Sequence, residues 1–263
     1  GFDGGYVDLL NPEAVKLFEE IYYDEFARRF GADFGKTIRY SFADHEGDDG
    51  FKIAWTPALF DAFSREKGYD LRRALPLLYF DGGKETIKVR CDYIEVVTEL
   101  YDKAFWSGLT DRLKARGLGR TGHGWEDRLS WAAAFHGDLF TIERGLDPVG
   151  VDSLVDFGRQ PIAFKVTQSV ADFEGRRFMC ENQGVQGTDS YLDMEGLRRG
   201  TNGIGAWGVD LFVPHAVNYD PAKANYPPDW LHQPYWPHFH HYADYVRRIS
   251  FMNGESRRVV NLA

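Results

Sequence analysis

The sequence is poor in cysteine. Cys91 and Cys180 are the only two in 263 residues, and neither has C-x-x-C spacing, so a thiolate zinc site or a thioredoxin-type motif is excluded. Cys180 lies in the apolar run Phe178-Met179-Cys180 and reads as a small buried hydrophobe. Positive charge is outweighed: 31 Lys and Arg stand against 40 Asp and Glu, for a formal net charge of −9. A general nucleic-acid binder needs a basic patch to neutralise phosphates, so no nucleic-acid partner is expected. No apolar run is long enough to cross a bilayer, which argues against a membrane span. Nucleophile elbows and P-loops are missing. Gly203-Ile204-Gly205-Ala206-Trp207-Gly208 matches G-x-G-x-x-G, but it precedes a strand where a phosphate cradle must follow one. The chain opens at Gly1 without an initiator Met or signal peptide, and closes on Arg258-Val259-Val260-Asn261-Leu262-Ala263, which reads as an uncapped strand. The expectation is a segment of a longer polypeptide with flanking domains.

What the chain does have is aromatic side chains, 16% of all residues. Many stand in stretches that also carry Gly, Pro and His. Such rings stack on sugars and flat ligands, and they also fill cores. The length suits one large domain, 1–263, of the size an α/β barrel needs.

Along the chain, strand-like and helix-like patterns alternate. Gly4 to Leu10 is a short strand candidate. Asn11-Pro12-Glu13 then opens a helix, with Asn11 as N-cap, Pro12 in the first turn and Glu13 at the positive end of the dipole. Lys36 to Phe42 alternates polar and apolar side chains and reads as a strand. Helical spacing is expected over 57–67, 70–78, Thr86 to Arg116, Ala163 to Phe173, Leu192 to Arg199 and His240 to Phe251. Further strands are expected at Leu118 to Gly122, at the Phe178 run and within Ala206 to Val217, whereas Asp138 to Asp156 is mixed. This alternation is the α/β signature. About six strands are legible against the eight of a complete barrel, so either strands are missed or the segment lacks part of the barrel.

The chain is organised around Arg176 to Gly187. The apolar run stops at Glu181, backed by Asn182 and Gln183, and a glycine-bearing loop follows. A buried strand ends where its apolar run ends, which puts the Glu181 carboxyl at the C-terminal tip of a strand, the rim where α/β barrels do their chemistry. The competing reading pairs Glu181 with Arg176 or Arg177 as a structural ion pair. Acids also follow two other strands, Asp44 and Glu46 in one loop and Glu126 and Asp127 in another. Glycoside hydrolysis needs one protonated and one ionised carboxyl group. With Glu181 as acid, the base is expected at Asp44 or Glu46, and an inverting mechanism calls for carboxyl groups roughly 6.5–9.5 Å apart.

Metal ligation is less well specified. Asp44-x-Glu46-x-Asp48 resembles a calcium loop, yet Asp49 occupies the glycine position and Trp55 the twelfth, so the EF-hand pattern fails. His232, His238, His240 and His241 crowd one segment without carboxylates at ligand spacing. An aromatic sugar-binding wall there, including Tyr235 and Trp236, fits better. His215, after Pro214 at a strand end, is the better active-site histidine. His123, Trp125 and Glu126 form another candidate group.

Several stretches, in order, resemble the α-L-rhamnosidases of glycoside hydrolase family 106 and their relatives. They are Gly5-Tyr6-Val7-Asp8-Leu9-Leu10-Asn11-Pro12-Glu13-Ala14-Val15, Phe42-Ala43-Asp44-His45-Glu46, Trp55-Thr56-Pro57 and Gly68-Tyr69-Asp70-Leu71. Ser169-Val170-Ala171 ahead of the Glu181 strand, Gly200-Thr201-Asn202-Gly203 and Pro234-Tyr235-Trp236 continue the likeness. The resemblance implies a (β/α)8, TIM-barrel-like catalytic domain within an exported or periplasmic enzyme that acts on carbohydrate with inversion. It also implies a calcium ion at the sugar hydroxyls. Glu181 matches the family's acid. The family's adjacent Asp-Glu is interrupted here by His45, so the base falls on Glu46 or Asp44. Asn182, His123, Glu126 and His215 are expected to orient the sugar or a metal, and Trp125, Tyr235 and Trp236 to wall it. The alternatives are a non-catalytic carbohydrate-binding barrel and a metal-dependent hydrolase or lyase on the same fold.

Overall fold

The computed structural model describes residues 7–44, 53–124, 137–154, 161–183, 193–215, 233–256 and 259. They fall into two compact units, Gly1–Asp147 and Pro148–Ala263.

The first unit begins with α1, Pro12–Phe30, started as expected: the Asn11 side chain accepts from the Glu13 backbone N–H. The stretch before it differs from the expected strand. Residues 7–10 hold no strand, because Asp8 closes a turn, accepting from the backbone N–H of Leu10 at 3.2 Å and of Asn11 at 3.1 Å. Asp8 also accepts from the Thr56 hydroxyl at 2.8 Å. The next strand is displaced towards the C-terminus. β1 spans Tyr40–Asp44, since Gly35, in a left-handed conformation, closes a loop with Ile38 first.

Three helices follow: α2, Leu59–Lys67; α3, Leu71–Tyr79; and α4, Lys84–Tyr101. Their apolar faces make one core around Phe63, Leu71, Val89 and Val96. The long helix expected over 86–116 is interrupted. A π-helical turn, Asp102–Trp106, joins α4 to α5, Ser107–Lys114. Widening the turn displaces backbone carbonyls from ordinary pairing. The fully buried Arg120 lies within 3.3 Å of the Phe105 and Trp106 carbonyls and stacks on the Phe105 ring at 4.2 Å. Arg120 belongs to β2, Gly119–His123, which pairs in parallel with β1. A second core, built on Tyr101, Trp106, Leu109 and Leu113, is closed by Val15 and Tyr23 of α1 and by Ile142 of α6, Leu139–Arg144.

In the second unit, three parallel strands lie in the order β3, Val149–Ser153; β4, Phe178–Asn182; and β5, Leu211–Pro214. Two helices make the crossovers: α7, Pro161–Glu174, and α8, Met194–Gly205. β3 was hidden in the mixed region because all five of its residues are buried, and a strand buried on both faces carries no polar–apolar alternation. β5 lies within the expected 206–217 and ends at Pro214, next to His215, as expected; α8 runs to Gly205 and the chain turns before Leu211. The core joins Val149 and Val151 to Phe164, Phe178 and Cys180; Cys180 is fully buried, as expected. α9, Phe239–Gly254, packs Tyr242 against Leu197 of α8. The described strands are parallel and alternate with helices, which is the expected α/β class; five strands occur among the described residues. No helix among those residues is long and apolar enough to cross a membrane.

Candidate active site

In each unit the acids stand where parallel strands end. In the first, the β1–β2 register sets Asp44 opposite His123, the last residue of each strand. His123 is fully buried and Asp44 exposed; their nearest side-chain atoms, Nε2 and Oδ1, are 3.8 Å apart. His123 Nδ1 lies 3.3 Å from the Gly124 carbonyl and the ring meets Phe42 edge-on. Close approach of the two strands depends on Gly122. It has a φ of +147°, and a Cβ there would run into the backbone of its register partner, Ala43. Of the other residues expected here, Glu46, Trp125 and Glu126 lie outside the described residues.

In the second unit, Glu181 is the fourth residue of β4 and is 8% exposed. Arg177 donates to Asp210 at 3.1 Å and Arg176 lies 3.7 Å from Glu174. Arg177 precedes Glu181 by four residues, about 13 Å along an extended strand. The β3–β4 register pairs Asp152 with Glu181 and Ser153 with Asn182. Register partners on parallel strands project from the same side of a sheet, so a second carboxyl group accompanies Glu181. Asp152 is also buried. It was not singled out in the sequence because its strand was not legible; the signal that could have found it is the valine pair of Val149-Gly150-Val151-Asp152 stopping at an acid, as the Glu181 run does.

Asn182 is completely buried, and neither its Nδ2 nor its Oδ1 has a hydrogen-bond partner among the described residues. An unmade bond at a buried polar atom costs about 1–3 kcal/mol, so this amide is built for a partner beyond those residues. Its backbone carbonyl accepts from the His215 N–H at 2.8 Å, which ties His215, half-buried just past β5, to the end of β4. The carboxylates of Asp152 and Glu181 thus share one side of the sheet, and Ser153 and Asn182, the next residue on each strand, share the other. Carboxylate oxygens suit calcium, whereas the imidazole of His123 does not.

Gln183 was noted only as backing for Glu181. It is the one non-glycine residue with positive φ among the described residues, at 63°. Such a conformation costs an ordinary side chain about 1–2 kcal/mol. Gln183 is fully buried, and its Nε2 reaches the Leu197 carbonyl and the Thr201 hydroxyl, both at 3.2 Å, and the Tyr242 hydroxyl.

Of the aromatic residues expected to wall the sugar, Tyr235 and Trp236 are described and Trp125 is not. Tyr235 is half-buried against the cluster that holds Tyr242. Its hydroxyl has no partner among the described residues, and its pKa is pushed up to about 12 by burial first, then by Tyr242 and Asp193. Trp236 is 39% exposed and lies 5.2 Å from Phe239, ring centre to ring centre. The exposed His238 and His241 stack in parallel at 6.5 Å.

Parallel strands ending in carboxylates and alternating with helices define an α/β chain. A model of the alpha-L-rhamnosidase family, glycoside hydrolase family 106, matches residues 3–149, more than half of the sequence. The chain belongs to that family. Among solved structures it is similar to a rhamnosidase from Novosphingobium sp. PP1Y, with a TM-score of 0.78 at 21% identity over 97% of this chain. That likeness is one of fold, and this chain spans 26% of that structure's length. None of the curated proteins matches.

Proposed function

We propose that the chain is the catalytic segment of an inverting glycoside hydrolase that removes a terminal α-L-rhamnose-like sugar from an oligo- or polysaccharide. The observation that carries this reading is the end of β4, where buried Glu181 has Asp152 as register partner and is followed by the unsatisfied Asn182 amide. Family membership supports it. In this proposal Glu181 protonates the glycosidic oxygen as the bond to the anomeric carbon breaks. Asp44 or Glu46 takes a proton from the attacking water, and the sugar leaves with inverted configuration. Asn182 offers the sugar hydroxyls two donors and an acceptor. His123, Glu126 and His215 orient the sugar, and Trp125, Tyr235 and Trp236 present apolar faces to it.

Calcium belongs to the same proposal. The Asp152 carboxylate, a hard oxygen donor, would help to hold it, and when bound it would supply positive charge to the sugar hydroxyls. A closed (β/α)8 barrel, flanking domains and an exported or periplasmic setting complete the proposal by family resemblance.

The test is hydrolysis of aryl α-L-rhamnosides followed by NMR of the first anomer released. Glu181→Gln should lower kcat about 10²–10⁴-fold while still binding rhamnose. Undiminished turnover by the variant, or release of the retained anomer, would refute the mechanism. Chelation followed by calcium add-back tests the metal, and activity that survives exhaustive chelation would remove it.

A further inference from the structure

The backbone just beyond Glu181 is held in an unfavourable conformation by a buried polar circuit. Gln183, with its φ of 63°, follows Asn182 at the end of β4. Left-handed non-glycine residues persist where surrounding groups over-determine them, and the groups here can be named. Leu197 and Thr201, one turn apart on α8, and Tyr242 of α9 surround the Gln183 amide nitrogen. The Thr201 hydroxyl lies 2.8 Å from that of Tyr242 and donates to the Leu197 carbonyl at 3.0 Å. The protons fit one arrangement. Gln183 Nε2 gives one hydrogen to Tyr242 and the other to the Leu197–Thr201 side, Tyr242 donates to Thr201, and Thr201 donates to Leu197. Burial raises the Tyr242 pKa, so its hydroxyl keeps the proton that this requires.

From this geometry we infer that Tyr242 and Thr201 are positioning residues for catalysis. Through the Gln183 side chain they lock the left-handed turn after β4 and so aim the carboxyl of Glu181. Neither hydroxyl is a catalytic group; both act through Gln183. Without the lock, Gln183 relaxes to an ordinary backbone conformation. The Asn182–Gln183 peptide, whose carbonyl accepts from the His215 N–H, rotates with it, and the preceding carboxyl loses its alignment. The inference rests on Glu181 being the general acid.

A misaimed acid has a kinetic signature that a merely weakened fold lacks. Acid catalysis matters when the departing oxygen is basic and little when it is a good leaving group. Tyr242→Phe, Thr201→Val and Glu181→Gln should therefore each be measured on an alkyl rhamnoside and on its 2,4-dinitrophenyl counterpart. Tyr242→Phe and Thr201→Val should lose about tenfold to a hundredfold in kcat on the alkyl substrate. KM should stay within about threefold, and the dinitrophenyl rate should be nearly unchanged. Glu181→Gln should show the same selectivity more strongly. If Glu181→Gln shows no dependence on the leaving group, the acid assignment fails. If Glu181→Gln shows it and the folded Tyr242→Phe and Thr201→Val do not, the positioning inference fails. Loss of cooperative unfolding in both would also overturn it, because the circuit would then serve the fold alone.

Discussion

Asp152 and Glu181 are register partners on the neighbouring parallel strands β3 and β4, and both carboxyl groups are buried. Burying two carboxyl groups on one side of a sheet costs solvation that hydrogen bonds, ion pairs or a bound cation must replace. The pairing makes Asp152 a stronger candidate for function than its place in an unremarkable Val-Gly-Val-Asp stretch conveys.

Asp152→Asn keeps the shape of the side chain and removes its charge. We expect kcat/KM to fall about tenfold or more, some 1.4 kcal/mol of transition-state stabilisation, and the calcium needed for half-reactivation after chelation to rise. Wild-type kinetics together with an unchanged calcium midpoint would leave Asp152 without a role in the site.

Asp44→Asn and Glu46→Gln separate the two candidate bases. Loss of a base is not relieved by a better leaving group, since the attacking water must still give up a proton. The base variant should lose about 10²–10⁴-fold on alkyl and dinitrophenyl substrates alike, and the other variant should not. Equal, mild losses from both would mean that neither acid is the base.

Glu19 on α1 is 5% exposed and accepts from Arg112 and lies against Arg116, each at 2.6 Å. Both arginines reach solvent, so removing Glu19 strands them less than a fully buried partner would be stranded. Glu19→Gln should cost about 1–3 kcal/mol, read as a lower urea midpoint with an unchanged m-value. An unshifted midpoint would mean that the cluster contributes nothing to stability.

Gly122→Ala tests the β1–β2 contact beneath Asp44 and His123. The added methyl meets the Ala43 backbone, and the φ of +147° is one that side chains avoid. The expected outcome is a loss of several kcal/mol, seen as a large drop in melting temperature or insoluble protein. Normal stability and activity would show that the strands can separate freely there.

The features readable in one dimension are those set by nearest neighbours along the chain. Asn11-Pro12-Glu13 starts α1 because the cap, the proline ring and the acid act within one turn. Glu181 follows an apolar run that needs no partner to be recognised, and Cys180 is buried with it. Three features could not be read this way. β3 has no alternation because neighbours cover both its faces, so Asp152 acquires its partner through strand register with β4. The π-helical turn at Asp102–Trp106 lies in an unbroken helical pattern and is matched by Arg120, fourteen residues beyond Trp106. Gln183 adopts a backbone conformation that its own side chain disfavours, held by groups on α8 and α9. Capping and periodicity act over a few bonds. Register, carbonyl satisfaction and tolerated strain depend on which distant residues arrive alongside, and only folding brings them there.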